Sequence, residues 1–427
     1  MTSLWRNRDF TVLWSGQVIS SLGAAISSTA TPLLVLATTG SPLDAGLVGA
    51  AGTLPHLIAN LPAGPLVDRW NRRLILLISE LVAAVALLSV PLAIWSGVFT
   101  IAQLCVVAFV QGLCFVFFGL AQDAALPIVV PAAQLATAIA ANEARGRGAT
   151  LAGPPIGGLL FGLDRAAPFL IDGISYLIAA VGLLFLRRDL QKPVEGPAES
   201  LWRSAVTGIR YVWSQPLIRV SMLLIAVSNL VFQALILVLV VLAGDQGATS
   251  SGIGLMLGLY SAGGLLGALV AGRLHRRLSF RTVLVGINWV WAVLLPLNLL
   301  ATDPLQIGVI GALCAFVGPL WNVVIFTYAG VMVPNELLGR VMSAAGTLTW
   351  GVMPIASLAA GFMLTWTGTT GSLWSLSAIM LAAAIAATLS PSVRRAPTLP
   401  EAAGQSSGAL TEGADRPSGA ETSTVPR

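Results

Sequence analysis

Several side chains sit where acid–base chemistry would stand out. Glu80, Asp123, Glu143, Asp172 and His56 lie inside, or at the ends of, long apolar stretches, and Arg147 follows Glu143 by four positions in "NEARGRGA". On a helix this spacing puts carboxylate and guanidinium on one face in the favourable order, so the two are expected to pair. An arginine midway along a membrane-length stretch costs at least ~2.5 kcal/mol to insert, so it has to be matched. Hydrolytic and metal chemistry find no comparable arrangement. Neither HExxH nor GxSxG occurs, and His56 and His275 are far apart in sequence. Cys105 and Cys114, nine residues apart, are expected on opposite sides of a helix, so no metal site or disulfide is indicated. Lys192, the single lysine, precedes Pro193, which excludes a P-loop nucleotide site. No cofactor and no metal is called for. Carboxylates or a histidine that exchange protons within a membrane remain as the chemistry to place.

The elements that hold these residues follow from composition. Of 427 residues 56% are hydrophobic and 10% charged, with mean hydropathy +0.86. Soluble domains carry about 25% charged residues, so this chain has no ordinary water-facing surface. Its apolar stretches run roughly 20 residues without polar alternation, which suits membrane helices rather than barrel strands. Twelve spans are expected, near 10–36, 43–66, 74–96, 100–126, 134–162 and 167–186, then 218–243, 251–271, 280–301, 305–331, 340–366 and 372–390. The fold class is therefore all-α integral membrane, built as two six-helix halves. The first apolar stretch is too long for the core of a cleaved signal, and none is expected.

Charge sets the orientation. Arg6 and Arg8, then Arg69, Arg72 and Arg73, then Arg187, Arg188, Lys192, Arg203, Arg210 and Arg219 fall on one side. Arg273, Arg276, Arg277, Arg281 and Arg340 fall on that side too. The other side has Arg165 with Asp44, Asp164, Asp245 and Asp303. Positive loops stay inside, so both termini are expected in the cytoplasm and the protein in the cell membrane. The net charge of +5 reports that orientation and implies no nucleic acid.

Residues 1–187 form the expected N-terminal half and 218–391 the C-terminal half. Between them, 188–217 is expected to form a cytoplasmic linker, in which Trp202, Val206, Ile209 and Trp213 recur at helical spacing, as in a helix lying on the membrane surface. Residues 392–427, rich in Pro, Gly, Ser, Thr and Ala, are expected to be a disordered tail. The halves repeat: "AGPLVDRWNRRLIL" returns as "AGRLHRRLSFRTVL", and "VVPAAQLATA" as "MVPNELLGRV". Paired six-span repeats place a substrate path at their interface.

The layout and the loop "GPLVDRWNRR" resemble the major facilitator superfamily and its signature G-x-L-x-D-R-x-G-R-R/K. "NRDFTVLWSGQVISSLG", "AALPIVVPAAQLATAIAANEA", "PFLIDGISYLIAA" and "VPNELLGRVMSA" are similar to the branch containing macrolide efflux pumps and siderophore exporters. The resemblance spans 5–390. It implies that Gly64 lets helices 2 and 11 approach closely, that Asp68 latches onto the N-terminus of helix 11, and that Arg69, Arg72 and Arg73 complete the gating loop. It further implies that Asp123 receives Arg72. Here Asn71 replaces the usual Gly, and the second copy has Arg276 where the acid would be.

Gly153, Pro154, Gly157 and Gly158 resemble the antiporter motif of exporters, with Ala140 and Ala149 in place of two of its glycines. The superfamily lines its cavity with helices 1, 4, 7 and 10, which nominates Gln17, Gln111, Asn229, Gln233, Trp321 and Asn322. Ala108 stands where many drug–proton antiporters carry an arginine, so Glu143 with Arg147 is expected to exchange the proton, with Asp123 and Glu80 as the other candidates. The expected activity is export of a small amphipathic organic molecule by a monomer, driven by proton antiport. The alternatives are a facilitator or importer of a small metabolite, or a membrane-embedded enzyme.

Overall fold

The computed structural model describes residues 4–186, 190, 201–275 and 278–396. Residues 1–3, Arg187, residues 188–189 and 191–200 of the expected linker, Arg276, Arg277 and the tail beyond Ala396 lie outside the described residues. The described chain is helical from end to end. It runs α1 (Arg8–Thr39), α2 (Pro42–Ile58), α3 (Asn60–Arg69), α4 (Arg72–Ser96), α5 (Ile101–Val129), α6 (Ala132–Leu163) and α7 (Ala167–Leu184). After α8 (Leu201–Ser214) come α9 (Pro216–Asp245), α10 (Ser250–His275), α11 (Phe280–Leu297), α12 (Pro304–Met332), α13 (Asn335–Trp350), α14 (Met353–Leu389) and α15 (Pro391–Arg394).

Among the described residues, nine stretches are long and apolar enough to cross a bilayer, one of them the run Leu337–Leu389, which takes in α13 and α14. The other expected spans differ for identifiable reasons. Span 2 breaks at Ala59 into α2 and α3, because Pro62 has no N–H for the carbonyl of Ile58 and its ring crowds that turn. Span 11 breaks between Trp350 and Met353, where Pro354 opens α14. Spans 11 and 12 then merge into α14, divided at Gly368, whose φ of 67° only glycine adopts freely. Span 5 is α6, kept helical through Glu143, Arg145 and Arg147. Side chains such as Val85, Leu92, Val106 and Trp366 are more than 60% exposed, as a lipid-facing surface requires.

The two halves meet mainly through two helix pairs related by the internal repeat, α2 with α14 and α6 with α10. Both pairs close near the end that carries Asp44, Asp164 and Asp245. A Cβ on Gly46 would strike the carbonyl of Ser357 and the backbone of Gly361. A Cβ on Gly158 would strike the carbonyl of Ser250 and the backbone of Gly254. Glycine is needed at these crossings because backbone lies directly on backbone. Gly64 is different: a Cβ there would meet nothing within 4 Å, so the close approach of helices 2 and 11 belongs to Gly46 and Gly361 at the opposite end.

Candidate functional site

A cavity of about 220 Å³ lies within the N-terminal half. Glu80 on α4 is 2% exposed and forms part of its wall. Gln17 on α1 donates from Nε2 to Glu80 Oε1 at 3.0 Å, while Oε2 has no partner. Gln111 on α5 and Arg145 on α6 line the same cavity. Gln111 Nε2 is buried without a partner, and so are Nε and Nη1 of Arg145. Asp123, near the inner end of α5, is exposed to the cavity and within electrostatic reach of Arg145. Buried polar atoms ordinarily find partners, so the cavity is where water or a ligand would meet these groups.

A second cavity, of about 360 Å³, lies against the C-terminal half. Asn229, Trp321 and Asn322 line it, together with Arg147 from α6. Phe232, Trp291 and Trp321 form an aromatic run, with centroids 4.7 Å apart for the first pair and 6.1 Å for the second. Asn229 donates to the carbonyl of Thr349 at 2.8 Å, which ties α9 to α13. Gln233 donates to Ser357 Oγ at 3.2 Å and does not line the cavity, so it packs helices together. Trp291 and Tyr260 line this cavity from α11 and α10, helices outside the four from which candidates were drawn.

Arg147 donates from Nε to Glu143 Oε1 at 2.8 Å, the i,i+4 pair expected from spacing. The side chains are 43% and 67% exposed, and it is Arg147 that lines the larger cavity. Arg145 is the residue that spacing did not resolve. Its charge was visible inside span 5, but its environment comes from α5 across the cavity.

In the loop, Arg72 pairs with Asp68 at 3.2 Å and donates to the carbonyls of Ala124 and Leu190 at 3.4 Å. The expected partner Asp123 is replaced by Asp68, four residues earlier on the same chain segment, and Asp123 turns into the cavity instead. Asn71 accounts for its own departure from glycine. Its side chain caps α4, accepting from the amides of Arg73 at 3.0 Å and Leu74 at 3.3 Å, with ordinary extended φ. Arg73 caps the far end of α7 through the carbonyl of Leu184 at 2.8 Å. α3, which carries Gly64, Asp68 and Arg69, only grazes α13.

The Gly-Pro stretch of α6 is a two-sided contact. Gly153 and Gly157 face Ala25 and Ile26 of α1, while Pro154 and Gly158 face Gly254 of α10. One helix thus lies against a neighbour in its own half and another across the interface. Asp172 is fully buried, accepting from Ser27 and from Ser175, and it pins α7 to α1. His56 meets Phe115 edge-on at 5.5 Å, a packing contact.

A membrane bundle of paired six-helix halves, with a polar cavity in each, defines a transporter. The chain belongs to the major facilitator superfamily: residues 2–408 match the family described as "Transmembrane secretion effector" (MFS_3). It is 30% identical over 412 residues to the multidrug efflux pump Tap of Mycolicibacterium fortuitum, covering 92% of this chain and 98% of that one. It is 24% identical over 184 residues to macrolide efflux protein A of Streptococcus pyogenes, covering 43% of this chain and 45% of the other. The crystal structure of a variant of nucleoside transporter NupG superimposes with a TM-score of 0.73 at 11% identity, over 89% of this chain and 99% of that one. At that identity the likeness concerns the fold.

Proposed function

We propose that this protein exports small amphipathic organic molecules across the cell membrane by alternating access, drawing energy from an inward flow of protons. The observation that carries the reading is the buried carboxylate of Glu80, one oxygen of which has no hydrogen-bond partner, in a cavity where a proton and a ligand would compete for it. A membrane carboxyl that faces a cavity is the usual element of a proton relay. Relatives named as efflux pumps, aligned over nearly the whole chain in one case, support the outward direction.

Orientation follows from the arginines. With the arginine-rich loops in the cytoplasm, both termini are cytoplasmic, and the glycine-sealed crossings of α2 with α14 and α6 with α10 lie toward the outside. The arrangement is then closed outward, with Asp123 and Arg145 on the cytoplasmic side of the N-terminal cavity. Separation of those glycine crossings, with the Asp68 loop closing on α13, would reverse it. Among the candidate coupling carboxyls, Glu80 is buried and lines a cavity, Asp123 lines the same cavity more openly, and Glu143 is held by Arg147. These placements favour Glu80 ahead of Glu143 as the exchanging group. The protein acts as a monomer, since each half contributes its own cavity.

Expression in bacteria depleted of their own drug pumps tests the direction. Cells making the protein should retain several-fold less ethidium, and an uncoupler should abolish the difference. Greater retention than in control cells would make the protein an importer.

A further inference from the structure

The N-terminal cavity holds more unmet polar chemistry than proton exchange uses. Glu80 Oε2, Gln111 Nε2 and two guanidinium nitrogens of Arg145 are all buried without partners, and their side chains line the same space. The first is an acceptor and the rest are donors. Leaving a buried polar group unmet costs about 1–3 kcal/mol, and more when it is charged. A ligand that supplies the complementary groups recovers that cost on binding.

The charges decide what sort of ligand. Arg145 and Asp123 lie within electrostatic reach of one another and balance. Glu80 has no ion pair among the described residues, and the buried Asp172 lies within its electrostatic reach, adding to the negative potential. Once its proton has left, Glu80 calls for a cation. Gln17 holds its Oε1 at 3.0 Å, which fixes the carboxylate plane and leaves Oε2 to the ligand. Phe115, Phe118 and Tyr176 also line the cavity, residue types that attract a cationic group. The donors of Gln111 and Arg145 call for oxygen acceptors elsewhere on the same molecule.

We infer that this cavity is a binding site for an organic cation whose protonated amine is held by Glu80 Oε2 and whose carbonyl, sulfonyl or similar oxygens are held by Gln111 and Arg145. This names the substrate class and rests on the exporter reading. A bare cation lacking oxygen acceptors, such as ethidium, leaves the donors unmet and binds more weakly, and an anion of the same shape meets Glu80 with like charge.

Equilibrium binding to the full chain in nanodiscs tests this apart from transport. The probes share one fluorophore: dansylcadaverine carries an ammonium, its N-acetyl derivative is neutral, and dansyl-6-aminohexanoate carries a carboxylate. Saturable dansyl enhancement, corrected for empty nanodiscs, should give dansylcadaverine a Kd at least tenfold below both analogues. Glu80→Gln should remove that preference, and Glu80→Asp should keep much of it. Arg145→Gln and Gln111→Ala should each weaken dansylcadaverine several-fold while the preference for the ammonium persists. The comparison of probes on the wild-type protein needs no variant to fold.

Equal affinity for the neutral analogue, no saturable binding of dansylcadaverine, or a preference that survives Glu80→Gln would each overturn the assignment. Loss of this binding beside intact proton-driven dye export would sink the inference alone. Binding without export would sink the exporter reading alone.

Discussion

At the scale of single residues, Glu80 and Glu143 separate two kinds of intramembrane acid. Glu143 is matched by Arg147 at 2.8 Å and is exposed on α6, whereas Glu80 is buried with one oxygen unmet. In proteoliposomes, Glu80→Gln should reduce substrate movement driven by a pH gradient at least tenfold. Glu143→Gln should leave it within about threefold, because an exposed ion pair contributes little. The reverse ranking would return the coupling role to helix 5. The Glu143–Arg147 pair was legible in sequence because one helix and a spacing of four decide it. Glu80 appeared only as one candidate among several, since its importance depends on Gln17 and Ser20 lying beside it on α1 and on Oε2 being left without a hydrogen bond. Arg145 was legible as a charge and not as a site. Its relation to Asp123 joins α6 to α5, and no local pattern encodes such a contact.

At the scale of elements, the repeated loop motif and the glycine crossings do separate jobs. Asn71 caps α4, so Asn71→Ala should lower stability by about 1 kcal/mol, seen as a lower Tm in a thermal melt of the detergent-solubilised protein. Asp68→Asn removes the carboxylate that pairs with Arg72, and it should slow transport several-fold while leaving membrane insertion intact. Wild-type rates in that variant would deny the loop a gating role. Gly64→Ala should be tolerated, with transport within twofold of wild type, because a Cβ there meets nothing. Gly158→Leu should cut transport more than tenfold at normal expression, since its side chain would be driven into the backbone of α10. Helix positions followed from apolar runs, and the six-plus-six layout followed from the loop repeat. The breaks at Ala59 and between Trp350 and Met353 were not legible: Pro62 and Pro354 stand at them, but Pro32, Pro91 and Pro127 sit inside helices that continue. Which glycines seal the interface was not legible, because Gly64 and Gly158 look alike until the neighbouring helix is in place.

At the scale of the whole molecule, the claims are that the cavities face the cytoplasm at rest and that protons drive organic molecules out. A cysteine at the wall of the N-terminal cavity, Gly119→Cys in a background lacking Cys105, Cys114 and Cys314, should react with a membrane-impermeant maleimide in inside-out vesicles much faster than in intact cells. Faster reaction from outside would reverse either the orientation or the resting state. The most direct measurement of the central claim is ethidium uptake into proteoliposomes with an acidic interior. Ethidium keeps its charge at every relevant pH, so passive trapping of a weak base does not contribute. Acid inside should drive accumulation several-fold above protein-free vesicles, nigericin with potassium should abolish it, and Glu80→Gln should lack it. Accumulation that ignores the pH gradient, or that requires alkali inside, would contradict proton-driven export.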